Sequence, residues 1–166
     1  MRKWLIAGST LVVLALVNVG IWQREGLLDH GKVVLLELAP VDPRSLMQGD
    51  FMRLSYRVLE DAFPRQVGTP PATDGRVIVA IDDRGVGRFA RLDDGTPLRT
   101  GDVALRYRVR AADVKFATNA YFFEEGHAGD FSPARYGEFR VAADGEMILT
   151  GLRDKALRLL VQKPLR

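Results

Sequence analysis

Tyr136-Gly-Glu-Phe-Arg-Val141, then Ala143-Asp-Gly145, then Glu146-Met-Ile-Leu-Thr-Gly-Leu152 reads as a β-hairpin. Two runs of strand-forming residues flank an Asp-Gly pair, the residue types that a tight turn between antiparallel strands demands. The same grammar recurs upstream. Arg76-Val-Ile-Val-Ala-Ile-Asp82 and Val86 to Leu92 flank Asp83-Arg-Gly85, and this spacing predicts a second hairpin. Val103, Leu105, Tyr107 and Val109 alternate with Ala104, Arg106, Arg108 and Arg110, so one face of that strand is apolar and the other wet. Lys32-Val-Val-Leu-Leu-Glu-Leu38 is too short for a free-standing helix and reads as a strand stopped by Pro40; Val114 to Phe123 is aromatic-rich and reads as extended. From Asp50, Met52, Leu54, Tyr56 and Val58 alternate with Arg53, Ser55 and Arg57, which predicts another strand with a buried face.

Irregular stretches separate these runs. Leu59 to Gly75 holds three prolines and two glycines and reads as a long loop, and Asp93 to Gly101 as a second one. Asp42-Pro-Arg-Ser-Leu-Met-Gln-Gly49 carries an N-cap, a proline at the first helical position and a terminal glycine, the signals of one short helix. About eight strands at short spacing predict a mostly β domain, an antiparallel barrel or sandwich rather than a βαβ arrangement. Gly49-Asp-Phe-Met-Arg-Leu-Ser-Tyr-Arg-Val58 and Gly101-Asp-Val-Ala-Leu-Arg-Tyr-Arg-Val109 echo one another, but two copies make no repeat array.

Ahead of this domain, Trp4-Leu-Ile-Ala-Gly-Ser-Thr-Leu-Val-Val-Leu-Ala-Leu-Val-Asn-Val-Gly-Ile-Trp22 carries no charge. As a helix its 19 residues match the hydrocarbon core of a bilayer, roughly 30 Å. A tryptophan stands at each end, and Arg2-Lys3 precedes it as the positive-inside rule requires for an internal N-terminus. A cleaved signal peptide has a shorter apolar region and a small-residue cleavage site, and Val17 to Trp22 offers none. Residues 1–25 are therefore read as a single-pass transmembrane anchor in the cytoplasmic (inner) membrane, and 26–166 as a β-rich domain in the periplasm or outside the cell. Asn18 lies near the outer interface, where water can satisfy it.

Composition excludes several classes of function. The chain has 166 residues and a net charge of +3, of which +2 comes from Arg2, Lys3, Arg24 and Glu25. From Gly26 onward 21 basic residues face 20 acidic ones, so no basic face for nucleic acid is indicated. Without cysteine there is no disulfide, thiolate nucleophile or thiolate metal site, and two histidines, His30 and His127, make a histidine metal centre unexpected. No cofactor is expected. Asp82-Asp83, Asp93-Asp94-Gly95 and Glu124-Glu125 fall at strand ends and read as solvated turns. Arg106, Arg108 and Arg110 read as the wet face of their strand, with an anionic lipid or a partner's carboxylates as the alternative.

Pro40, Asp42-Pro-Arg44 and Gly49-Asp-Phe-Met-Arg-Leu-Ser-Tyr56 resemble the GDYXXLXY family, with Phe51 in place of the first tyrosine of its motif. The resemblance continues through Phe122-Phe-Glu-Glu-Gly126, Ala134-Arg-Tyr-Gly-Glu-Phe-Arg-Val141 and Asp144-Gly145. It implies a small membrane-anchored bacterial protein whose partner is a multi-pass membrane protein, and it brings no catalytic residues. Motif residues Asp42, Pro43, Arg44, Gly49, Asp50, Phe51, Leu54 and Tyr56 are expected to be architectural. Asp42 and Gly49 would cap the short helix, Asp50 would bind turn amides, Leu54 and Tyr56 would be buried, and Phe51 would cover the helix turn or a neighbouring loop. A second resemblance is to signal-peptidase-like serine/lysine hydrolases. It would make Ser45 the nucleophile and Lys115 its neutral base, although the proline expected soon after that serine is missing.

Overall fold

Both hairpins form where the turn chemistry requires them. In the computed structural model, which describes residues 2–39, 51–64, 73–110 and 113–161, β3 (Gly75–Ile81) returns as β4 (Val86–Leu92), and β8 (Tyr136–Val141) returns as β9 (Met147–Arg153). Gly85 and Gly145 occupy the left-handed backbone region at the turns, where a side chain is strained. Asp82 accepts the amides of Arg84 and Val86 at 2.9 Å each, and these bonds, Val86 foremost, hold its carboxyl below the usual carboxylate range.

With β1 (Lys32–Glu37), β5 (Asp102–Arg110) and β6 (Asp113–Lys115) these strands form one seven-stranded sheet, in the order β6-β5-β3-β4-β1-β8-β9. The sheet curls into a half-barrel. Irregular registers between Ile78 and Val79 and between Glu138 and Phe139 add local bend and twist to β3 and β8. Every pairing in this sheet is antiparallel except β1 with β4, where Leu35 faces Val86 and Leu36 faces Gly87. Parallel neighbours need a long crossover, and the whole segment from residue 38 to residue 85 supplies it. Val34, Leu36, Val77, Val79, Leu105, Phe139 and Leu152 form the heart of the core.

Three expectations need correction. The alternating run from Asp50 to Val58 is not one strand: β2 (Phe51–Arg53) ends early, and α2 (Arg57–Ala62) takes over. All four alternating residues are still buried, but Val58, Leu59 and Ala62 face the core at helical spacing. The long loop from Leu59 is thus helical at its start. Val114 to Phe123 is likewise split, into β6 and β7 (Ala120–Phe122), because Thr118 bonds back to Ala120 and bends the chain between them. The short helix expected over Asp42–Gly49 falls outside the described residues.

The N-terminal helix α1 (Arg2–His30) outruns the charge-free segment by two turns. Leu27 near its end is half-buried, and α1 packs against β8 and β9. One residue, Gly31, separates α1 from β1. Its amide bonds the Leu27 carbonyl at 2.9 Å, and its carbonyl accepts from Arg140 on β8 at 3.2 Å. A Cβ at Gly31 would lie 2.9 Å from Leu27 Cδ1 and 3.1 Å from Arg140 Cβ. The helix therefore enters an interior strand of the sheet without a slack linker.

At one corner the curled sheet meets itself. The Arg106 amide on β5 donates to the Gly145 carbonyl at 2.9 Å, and Glu146 accepts Arg106 and Arg108 at 2.7 Å each. Arg110 pairs with Asp74 at 3.1 Å. All three arginines of β5 are exposed, as the wet-face reading requires, and each meets a carboxylate of the same chain. Gly145→Ala is expected to destabilise by ~1 kcal/mol or more, since φ is +90° and a Cβ would stand 3.2 Å from the Ala104 carbonyl. Glu146→Gln is expected to cost only ~0–1 kcal/mol, because these pairs are solvent-exposed. Chemical denaturation of the two variants checks the order.

Candidate functional site

The described part of the motif, Phe51 to Tyr56, lies across the core. β2 pairs antiparallel with β7, with Phe51 opposite Phe122, Met52 opposite Tyr121 and Arg53 opposite Ala120. The Leu54 amide donates to the Asn119 carbonyl at 2.7 Å, and Tyr56 bridges to Leu38 beyond the end of β1. Period two then sends Met52, Leu54 and Tyr56 inward and leaves Phe51 and Arg53 on the other side.

Tyr56 is the most deeply engaged of these. Its ring packs against Phe116 and Phe139, with centroids 5.7 and 5.5 Å away, and its hydroxyl donates to the Thr118 carbonyl at 3.1 Å. Burial pushes its phenol far above the ordinary tyrosine range, so it stays a neutral donor at physiological pH. Phe51 lies on the outer side, and the helix turn it was expected to cover falls outside the described residues. Phe51 packs against Phe122, with ring centroids 5.8 Å apart.

The family described as GDYXXLXY protein matches residues 13–152. The chain belongs to the GDYXXLXY family. No curated protein and no solved structure matches it. The family motif therefore has two sides here: Leu54 and Tyr56 fill the core, while Phe51 contributes to an outer aromatic pair. Asp42, Pro43, Arg44, Gly49 and Asp50, with Ser45 of the hydrolase reading, fall outside the described residues. Lys115 is half-buried on β6.

Beside the outer pair opens a cleft of about 300 Å³, lined by Tyr121, Phe122, Phe131, Thr150, Gly151, Leu159, Leu160 and Val161. Phe122 is 73% exposed, Leu159 50% and Val161 61%. Apolar side chains this exposed and grouped around one depression mark a candidate binding surface. Single-residue patterning does not reveal the cleft, because Phe122 and Val161 come together only through tertiary contacts.

A second grouping was equally hidden. His127 is buried just before α3 (Ala128–Phe131), with Nδ1 2.8 Å from Asp130 and Nε2 3.9 Å from Glu124. The three-residue spacing of Glu124, His127 and Asp130 was the available signal. Among the described residues no group of histidines and acids is arranged to hold a metal ion. Of the acidic pairs read from the sequence, Asp93-Asp94 serves a turn as Asp82 does: Asp93 accepts the Gly95 amide and pairs with Arg76, and Asp94 accepts the Thr96 amide and pairs with Arg91. Tyr56→Phe is expected to cost ~1–3 kcal/mol by orphaning the Thr118 carbonyl, and Leu54→Ala ~2–5 kcal/mol by opening a cavity. Thermal unfolding of the purified variants measures both.

Proposed function

We propose that the chain is a membrane-anchored, extracytoplasmic accessory or binding module that acts with a multi-pass membrane protein. The single observation that carries this reading is the pairing of two unlike surfaces, an apolar helix and a cleft of mixed polarity with large apolar side chains exposed at it. One is Gly8–His30, long and apolar enough to cross a membrane, with Leu11, Leu14, Val17 and Ile21 exposed along it. The other is the cleft beside Phe122. Arg2-Lys3 before the helix supports an internal N-terminus and hence a domain in the periplasm or outside the cell. The carboxylates and guanidinia described above serve turns and strand ends, and the cleft exposes Phe122, Leu159 and Val161 beside polar surface, which suits binding.

Beyond Trp22 the helix continues for eight residues, ~12 Å at the usual rise, before β1 begins. This stalk holds the domain clear of the headgroups. A photocrosslinking residue at Val13, in intact cells, is expected to join the chain to a polytopic membrane protein. A phosphatase fused after Arg166 is expected to be active. Recovery of the free monomer alone, or an inactive phosphatase beside a bright cytoplasmic fluorescent fusion, contradicts the proposal.

A further inference from the structure

β9 is the last strand of the sheet, and an open edge presents unpaired amides and carbonyls to any passing strand. Here the chain covers part of that edge itself. After Arg153 it reverses through Asp154 to Arg158, and Leu159 bridges to Arg153 while the Leu160 amide donates to the Leu152 carbonyl at 2.8 Å. The reversal is strained. Leu157 has φ +62°, the one non-glycine residue with positive φ among those described, a conformation that a branched side chain resists.

Asp154 holds the strain in place. Its carboxylate accepts the amides of Ala156 and Arg158 at 2.8 and 2.9 Å and the Arg158 guanidinium at 2.8 Å, while Arg153 donates to the Leu157 carbonyl at 2.6 Å. Beyond the reversal the attachment is light: Leu160 packs on the core, but Leu159 and Val161 are largely exposed. We propose that residues 157–161 form a displaceable strap on the β9 edge, and that an extended apolar segment of a protein partner takes its place by strand addition. This deepens the binding reading above and rests on it.

The strap itself shows which chemistry fits. It is an extended segment whose Leu159 lies over Gly151, where a Cβ would come within 2.8 Å of Leu159 Cδ1. The glycine leaves a notch for an apolar side chain, and Tyr121, Phe122 and Phe131, which line one cleft together with Leu159, Leu160 and Val161, remain when the strap leaves. An incoming strand with apolar residues at alternate positions meets both. Location favours a protein over the bilayer. Met147, where β9 starts, faces Val141, which faces Lys32 next to α1, whereas Arg153 faces Tyr136 and Glu37 at the opposite end of the sheet.

The test uses the full chain in detergent micelles and a labelled peptide copying Ala156 to Val161. Fluorescence anisotropy is expected to show at least tenfold tighter binding to Asp154→Ala than to the native chain, a smaller gain for Arg158→Ala, and weaker binding to Leu157→Gly, whose relaxed turn closes the strap. In the native chain the Leu160 amide is expected to exchange hydrogen at least tenfold faster than that of Leu35, which stays protected in every variant. Peptide affinities within twofold across the series, or Leu160 exchanging only as slowly as Leu35, overturn the strap. Loss of Leu35 protection in Asp154→Ala moves the decision to Arg158→Ala and Leu157→Gly. Binding of the variants to anionic phosphatidylglycerol vesicles without peptide binding also overturns it. The Val13 crosslink reports separately: an adduct with a membrane protein and no peptide binding removes the strap and leaves the accessory reading.

Discussion

A half-barrel has an apolar concave face that must be covered, and the rest of the structure depends on how that is done. Val34, Leu36, Val77, Val79, Leu105 and Phe139 would stand in water if the sheet were alone. The cover is the segment from Met52 to Val58, which changes from strand to helix as it crosses and buries a side chain at every second position. Tyr56 sits at the change. Its ring touches aromatic residues from β8 and from the bend after β6, and its hydroxyl satisfies the carbonyl of Thr118 in that bend. Leu54 and Tyr56 of the family motif are thus packed in the core, and beyond Tyr56 the segment turns into α2, which packs on β4 and β1.

β1 links this cover to the apolar N-terminal helix. It receives α1 through Gly31, pairs with β4 and β8, and hands on to the bridge between Leu38 and Tyr56. Orientation of the helix is thereby coupled to the sheet and to the motif through one continuous strand. The contact between the β8–β9 turn and β5 lies at the other flank, where the Gly145 carbonyl accepts the Arg106 amide and Glu146 accepts Arg106 and Arg108. The arginine series of β5 is used inside the fold.

Legibility in the sequence followed the range of the interaction. β3, β4, β8 and β9 were readable almost residue by residue, since alternation and turn residues are local. The parallel β1–β4 pair was not, because it joins strands some fifty residues apart. The helix α2 was missed because Met52 to Val58 obeys period two throughout, and only the shape of the core makes Val58, Leu59 and Ala62 a helical face. Of the candidate site, burial of Leu54 and Tyr56 was legible from alternation, whereas Phe51 on Phe122 and the strap over Gly151 depend on which strands become neighbours.

The central claim is that the motif segment and the curled sheet are one cooperative unit. Native-state hydrogen exchange on Tyr56→Ala measures this directly. The expected result is a common loss of protection in β1, β3, β5, β7 and β8, with amides in all five strands opening at the same, lowered free energy. Loss confined to Phe51–Tyr56 and Ala120–Phe122, with β1, β3 and β5 as protected as in the native chain, would contradict it and make the motif an appendage on an independently stable sheet.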